Sequence, residues 1–124
     1  MANPNIVNVT SIYGNTSYLI PSTTSATTWT ALTPAVGTVN KIDNIVASNV
    51  TGSAVAVTVS INSATSGGGT AYRIAYQISV PANASLIITD KTTAFYVGEG
   101  QSIVVTVGTG SALELTASYE AITS

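Results

Sequence analysis

The side chains of this chain that could support acid–base chemistry are its five carboxylates. Two carboxylates placed across a substrate can act as the acid and the base of a glycoside hydrolase. However, Glu99 lies between two glycines and Asp90 ends a β-prone run, and acidic side chains are common in such solvated turns. We therefore expect Asp90 and Glu99 to be solvated turn residues. We predict that the chain has no catalytic residue and is not an enzyme.

Histidine and cysteine, which supply most neutral-pH bases and transition-metal ligands, are both absent from the 124 residues. A calcium site needs several oxygen ligands close together in one loop, and no segment has that density of acidic residues. The segment SATSGGGT at 63–70 precedes a β-prone run and lacks the lysine of a phosphate-binding loop. We predict an exposed loop at this segment, and we expect no metal site and no cofactor.

Charged residues are unusually scarce, at 6% of the chain, whereas serine and threonine together contribute 35 residues. An ordinary soluble domain has about 25% charged residues, and charges on sheet edges and faces keep free monomers apart. The composition therefore favours a protein that functions in an assembly. The net charge of −2, with only three basic residues, is unsuited to neutralising phosphates, so we predict no nucleic-acid partner.

The sequence also favours a protein without a membrane partner. No run approaches the ~20 consecutive apolar residues of a spanning helix. The first residues, MANPNIVNVTS, have no basic flank and no long apolar run of the kind found in export signals. We expect a protein that is synthesised in the cytoplasm and is not processed.

Apolar and polar residues alternate with a period of two along most of the chain, which predicts strands. The stretch from 71 to 107 organises the rest, because a long alternating run ends at Pro81 and three further strands follow it. The inward residues are predicted to be Tyr72, Ile74, Tyr76, Ile78 and Val80; Val55, Val57, Val59 and Ile61; Ile103, Val105 and Val107; and Leu113, Leu115, Ala117 and Tyr119. We predict an all-β fold, an antiparallel two-sheet β-sandwich of immunoglobulin-like or jelly-roll-like type with seven to nine strands.

The chain is predicted to form one structural domain, with a distinct N-terminal segment at residues 1–38 and a β-sandwich core at residues 39–124. Gly14 and Asn15 suit the positive φ angles of a tight turn, so we predict a hairpin between runs at 6–13 and 17–20. Residues 22–33, with eight hydroxyl side chains and no charge, are expected to form an edge strand or an arm. The spacing from Ile42 to Ile45 breaks strict alternation and predicts a bulge.

The aromatic residues fall into two groups. Trp29, Tyr13 and Tyr18 lie outside the clearest alternating runs, where an aromatic ring can anchor a subunit interface, stack on a sugar or pack across one end of the sandwich. For Trp29 we favour packing across one end of the sandwich, and a subunit interface is the candidate function of Trp29, Tyr13 and Tyr18. The other four tyrosines occupy regular positions, and we expect them in the core with their hydroxyl groups at its rim. They are Tyr72, Tyr76, Tyr96 and Tyr119.

Several short motifs between residues 39 and 122 match a known family. The most distinctive are VPANASL at 80–86 and YVGEGQSI at 96–103. The others are KI at 41–42, IVASN at 45–49, TGS at 51–53, valine at 55 with TVSI at 58–61, DK at 90–91 and SYE at 118–120. In these motifs the chain resembles small β-sandwich virion proteins of tailed bacteriophages, particularly those of phages that infect cyanobacteria.

The resemblance implies a non-enzymatic subunit on the outside of a virion, synthesised in the host cytoplasm. We expect a capsid decoration (cement) protein that bridges neighbouring capsid subunits. Its partners would be the major capsid protein or other virion proteins, and the expected self-association is a homotrimer. The alternative is a tail, baseplate or fibre module that binds a host-surface glycan, for which an exposed aromatic ring such as that of Trp29 should lie in a groove beside amide and hydroxyl groups.

Overall fold

The computed structural model of the chain describes residues 9–123. Within that range the regular elements are nine strands and three single turns of 3₁₀ helix. The strands are β1 (Ser11–Leu19), β2 (Thr27–Thr28), β3 (Thr38–Asn49), β4 (Val55–Asn62), β5 (Ala71–Val80), β6 (Ser85–Thr89), β7 (Phe95–Val97), β8 (Ser102–Val107) and β9 (Leu113–Thr123). The 3₁₀ turns are Thr30–Leu32, Thr65–Gly67 and Lys91–Thr93.

The strands form two sheets. In the first sheet the order is β1-β9-β3-β6, and β7 also pairs with β3. In the second sheet the order is β2-β8-β4-β5. Every one of these pairings is antiparallel. The predicted all-β, antiparallel two-sheet sandwich is therefore confirmed.

The hydrophobic core lies between the sheets and contains the residues that alternate most regularly in the sequence. Its buried members from the predicted runs include Val55, Val57 and Val59 of β4, Ile103, Val105 and Val107 of β8, and Leu113, Leu115 and Ala117 of β9. Each buried side-chain nitrogen or oxygen among the described residues has a hydrogen-bond partner. The packed sheets therefore avoid the loss of ~1–3 kcal/mol in folding stability that each unsatisfied buried polar group would cause.

The predicted bulge in β3 is present. The register of β3 with β9 shifts between Ile42 and Asn44, so Ile42 and Ile45 both reach the core although they are three residues apart. The side-chain oxygen of Asn44 accepts a hydrogen bond from the backbone N–H of Ser118 at 3.0 Å. Asn44 therefore satisfies a backbone donor at the place where the ladder is irregular.

The predicted turn at Gly14 and Asn15 is wrong. β1 runs straight through both residues, and all nine of its residues pair in one register with β9. Neither residue has a positive φ. The local turn preference of this pair is overridden because a ladder to the C-terminal strand satisfies the backbone groups of the whole segment. The first arm of the predicted hairpin begins at Ile6, which lies outside the described residues.

The core positions predicted for three of the four tyrosines are also wrong. Tyr72 and Tyr76 of β5 and Tyr96 of β7 are exposed, as is Ile78, whereas Tyr119 packs against the core. The register of β5 with β4 shifts twice, and Gln77 has a φ of 49°. The extra residue of β5 at the first shift puts Tyr76 on the outer face with Arg73. Tyr72 and Ile78 are exposed because β5 is an edge strand, and Tyr96 pairs with Lys41 on the outer face of the first sheet.

The segments that join the first 38 residues to the rest of the fold are β1 and β2. β1 lies at an edge of the first sheet against β9, and β2 lies at an edge of the second sheet against β8. The edge strand predicted within residues 22–33 is thus only two residues long.

None of the helical turns in residues 9–123 is long and apolar enough to cross a bilayer.

Candidate assembly surface

Glu99, a candidate carboxylate from the sequence, has a structural position. It is only 8% exposed, and its carboxylate accepts a hydrogen bond from the backbone N–H of Gly37 at 3.0 Å. The expectation of a solvated turn residue is wrong for Glu99, because this contact fastens the turn before β8 to the turn before β3. The side chain therefore has a fixed partner in the folded chain.

Asp90 lies at the surface, as expected, and caps the 3₁₀ turn Lys91–Thr93. Its carboxylate accepts hydrogen bonds from the hydroxyl of Thr92 at 2.6 Å and from the backbone N–H of Thr92 at 3.0 Å. These bonds, the hydroxyl bond most of all, hold the pKa of Asp90 below its usual value of 3.8. In residues 9–123 no group of three acidic residues is placed to hold a metal ion.

Trp29 and Tyr18, two of the three predicted interface residues, lie in opposite environments. Trp29 is 1% exposed and belongs to the core, where its indole N–H donates to the hydroxyl of Ser17 on β1 at 3.0 Å. In this conformation its ring is not accessible to a neighbouring subunit. Tyr18 is 76% exposed, and Tyr13, the third residue, is also exposed. The structure therefore places two of the three on one strand, β1, with Trp29 beneath that strand.

A row of side chains crosses the outer face of the first sheet, with an exposed apolar residue at each end and half-buried Val46 and the hydroxyl of Thr116 between them. Tyr18 pairs with Thr116, Thr116 with Val46, and Val46 with Ile87 of β6. Ile87 is 62% exposed, and Ile12, also exposed, lies on the same face at the other end of β1. We call this set, Ile12, Tyr18, Val46, Ile87 and Thr116, the outer row.

The charges on this face are few. Lys41 and Glu120 are neighbours on β3 and β9, with 3.9 Å between the ammonium nitrogen and a carboxylate oxygen, so that their charges offset each other. Glu114 lies on the same face, two residues from Thr116. The outer row is thus a mainly apolar and hydroxyl surface with little fixed charge.

The second sheet carries a different exposed cluster on β5. The Arg73 guanidinium carbon lies 5.3 Å from the centre of the Tyr76 ring, within range of a cation–π contact. Nearby on this sheet is an open depression of about 310 Å³. Its lining is Ala56, Thr58, Gln77, Thr106, Val107 and Gly108, which has no titratable side chain. It therefore contains no group that could transfer a proton or act as an anionic nucleophile.

Ile87 was not predicted as a surface residue. It lies in the apolar run Leu86, Ile87, Ile88 of β6. Leu86 and Ile88 pack against the core on either side of it, helped by a register shift with β3. A run of three apolar residues in one strand signals that at least one side chain faces outward, but the sequence alone does not say which residue that is.

No protein-family model and no curated protein sequence matches the chain. Among solved structures it is similar to a pilus protein described as "Bacillus endospore appendages form a novel family of disulfide-linked pili". The identity is 14%, the alignment covers 92% of this chain and 88% of that one, and the TM-score is 0.50. At this identity the likeness shows the fold alone.

Two viral structures align with the chain at lower TM-scores. One is the virus-like particle of the extra small virus of the giant freshwater prawn Macrobrachium rosenbergii. The identity is 14%, with 98% of this chain and 86% of that chain covered and a TM-score of 0.44. The other is infectious bursal disease virus strain Gt, at 11% identity, 93% and 31% coverage and a TM-score of 0.42.

Proposed function

We propose that this protein is a non-enzymatic structural subunit of a virion, and specifically a capsid decoration protein of a tailed bacteriophage. The observation that supports this function is the outer row, which places exposed apolar side chains and hydroxyl groups on a sheet face with few charges. Large exposed apolar side chains on such a face are suited to a protein–protein contact. The resemblance of its short motifs to virion proteins of tailed phages supports a phage particle as the place of that contact.

The dimensions of the first sheet suit a modest interface that is repeated many times. Four strands at ~4.8 Å spacing and a nine-residue length give a face of about 19 by 30 Å, or about 570 Å² per subunit. Burying it against a partner removes about 1,100 Å² in total, just under the range of specific stable interfaces. One copy therefore binds weakly, and stabilisation of a shell comes from many copies acting together.

The stabilising effect follows from linkage. A subunit that binds the assembled capsid lattice but not its separated proteins shifts the equilibrium toward the intact shell. In this proposal the partners are the major capsid protein or other virion proteins, the location is the particle surface, and the subunit forms the homotrimer expected from the resemblance. Because the chain has no cysteine, its contacts with neighbours contain no disulfide bond, unlike those of the disulfide-linked pili.

Copy number in purified particles tests the decoration function. We expect the ratio of this protein to the major capsid protein to be of order one, measured by quantitative mass spectrometry of intact particles. A second measurement compares particles with and without the protein, and the particles without it should release their genome at a lower temperature. A few copies per virion, or no change in release temperature, would contradict the proposal.

The alternative of a tail, baseplate or fibre module that binds a glycan has less support. It expects an exposed aromatic ring in a groove beside amide and hydroxyl groups. Trp29 is buried, and the depression on the second sheet has the amide of Gln77 and the hydroxyls of Thr58 and Thr106 but no aromatic side chain in its lining. Binding of the purified protein on a glycan array would favour this alternative over decoration.

A further inference from the structure

An edge strand presents unpaired backbone N–H and C=O groups and is a template for another strand unless something blocks it. In the part of the chain that the structure describes, the first sheet has β1 at one edge and β6 and β7 at the other, and the second sheet has β2 and β5 at its edges. β7 is protected by its length of only three residues. The other four edge strands differ sharply in how well they are protected.

Three of these edges have recognised protective features. β2 is only two residues long, and β6 has five residues and a register shift against its neighbour. β5 is long, but it has two register shifts, a residue at positive φ (Gln77) and the charged side chain of Arg73. Short length, bulges and edge charges each hinder the addition of a further strand.

β1 has none of these features. Its nine residues, SIYGNTSYL, pair with β9 in one continuous register, with no charge, no proline and no positive φ. Tyr13 and Tyr18 are exposed along it. Gly14, at its middle, has open space where a side chain would begin, and a glycine inside a strand is common where another backbone approaches closely.

We propose that β1 is the strand through which two copies of this protein join their first sheets edge to edge, in antiparallel orientation about a twofold axis. The inference deepens the proposed function and rests on it, because the particle supplies the local concentration that the contact needs. Such a contact is isologous, since the same strand serves both copies.

The lack of charge on this edge and its cross-strand pairing both favour a second copy as the occupant. Residues 11–21 carry no charge, so two identical edges meet without the repulsion that opposes like charges. With the axis at Asn15, Ile12 of each copy lies opposite Tyr18 of the other, and aromatic–aliphatic cross-strand pairs are stabilising. The edge is about 30 by 10 Å, and pairing removes about 600 Å² in total, half of what a stable dimer needs. The dimer is therefore weak in dilute solution.

Cysteine crosslinking of the full chain tests the contact, because the protein has no cysteine of its own. The variants are Tyr13→Cys, Gly14→Cys, Asn15→Cys and Thr16→Cys, one at a time, with Ile87→Cys on β6 and Tyr76→Cys on β5 as exposed controls. Residues facing each other across an antiparallel pair are ~4.5–5.5 Å apart between Cα atoms, which is within disulfide range. Oxidation followed by nonreducing electrophoresis measures the disulfide-linked dimer.

We expect one maximum of crosslinking within β1, at one residue or two neighbouring residues, with a yield about tenfold above both controls because only β1 holds the thiols at bonding distance. Equal yields in β1 and in the controls would overturn the proposal. So would crosslinking that appears only after residues 1–8 are deleted, since those residues would then occupy the edge in the full chain. Thermal unfolding of each variant shows that the fold is kept. The outcome is independent of copy number in particles, which tests the decoration function.

Discussion

At the level of single residues, the hydrogen bond between Trp29 and Ser17 ties β1 to the core. Ser17→Ala removes the acceptor and leaves a buried indole N–H without its partner. We expect a loss of about 1–3 kcal/mol in the free energy of unfolding. Urea denaturation measures it, and the adjacent exposed residue supplies the control, since Thr16→Ala should change stability by less than about 0.5 kcal/mol. Equal effects would show that the bond is not stabilising.

Glu99 shows how a carboxylate can be structural. Glu99→Ala leaves the half-buried backbone N–H of Gly37 without its acceptor. We expect destabilisation of about 1–3 kcal/mol, whereas Glu114→Ala, at an exposed position of β9, should be nearly neutral. Both are measured by chemical denaturation. If the two variants are equally stable, the Glu99 contact with Gly37 contributes nothing.

Asp90 makes the stability of the fold depend slightly on pH in the acid range. Hydrogen bonds from Thr92 lower the pKa of Asp90 in the folded chain. The stability that ionised Asp90 adds to the fold is therefore present above its usual pKa of 3.8, and it is lost as the pH falls through the pKa of Asp90 in the folded state. We expect Asp90→Asn to melt below the wild type near neutral pH, with the difference shrinking as the pH falls below 3.8. A difference in melting temperature that stays constant with pH would contradict this assignment.

At the level of elements, two glycines with opposite surroundings test how the strands and turns are packed. A Cβ at Gly110, in the turn between β8 and β9, would clash with the backbone oxygen of Ser22. A Cβ at Gly14 in β1 would meet nothing within 4 Å.

We expect Gly110→Ala to destabilise by about 1–3 kcal/mol, because backbone must move. Gly14→Ala should be neutral or stabilising by up to about 1 kcal/mol, because it reduces the freedom of the unfolded chain. Thermal unfolding of both variants measures the contrast. Destabilisation by Gly14→Ala would show that β1 lacks the open outer side seen here.

If β1 is the contact strand, a charge added to it should weaken self-association. Thr16→Lys places a positive charge on β1, close to the same residue of a second copy, and lysine on an edge strand hinders pairing. We expect dimerisation at high protein concentration, measured by sedimentation equilibrium, to weaken about tenfold, with partial recovery in high salt as the charges are screened. The matched variant Ile87→Lys on β6 should leave it unchanged, and an equal effect of both would place the contact elsewhere.

At the level of the whole molecule, the outer row predicts how the protein occupies a particle. Tyr18→Lys and Ile87→Lys each put a charge into a face that would be buried against capsid, and an unpaired buried charge is costly. We expect either variant to reduce occupancy on stripped particles at least about tenfold. Tyr76→Lys, on the other sheet, should bind as the wild type does. Equal binding of all three would exclude the outer row as the docking face.

Periodicity along the chain determined the class of fold. Alternation in β4, β8 and β9 identified core residues such as Val57 and Leu115, and the broken spacing between Ile42 and Ile45 located the bulge in β3. These predictions succeeded because a strand with one buried face needs a period of two. Composition likewise indicated an exterior with little charge, since it depends on residue counts and not on their arrangement.

Only the tertiary structure decided which edges and faces are exposed. Gly14 and Asn15 have the sequence of a turn, yet they lie inside β1 because β9, a hundred residues away, supplies a ladder. Tyr76 alternates correctly but lies at the surface because bulges in β5 reverse its side. Partners distant in sequence fix the register of a strand, and the register fixes what each side chain meets. That is why Tyr13 and Tyr18 could be singled out from the sequence, while the open edge that they share could not.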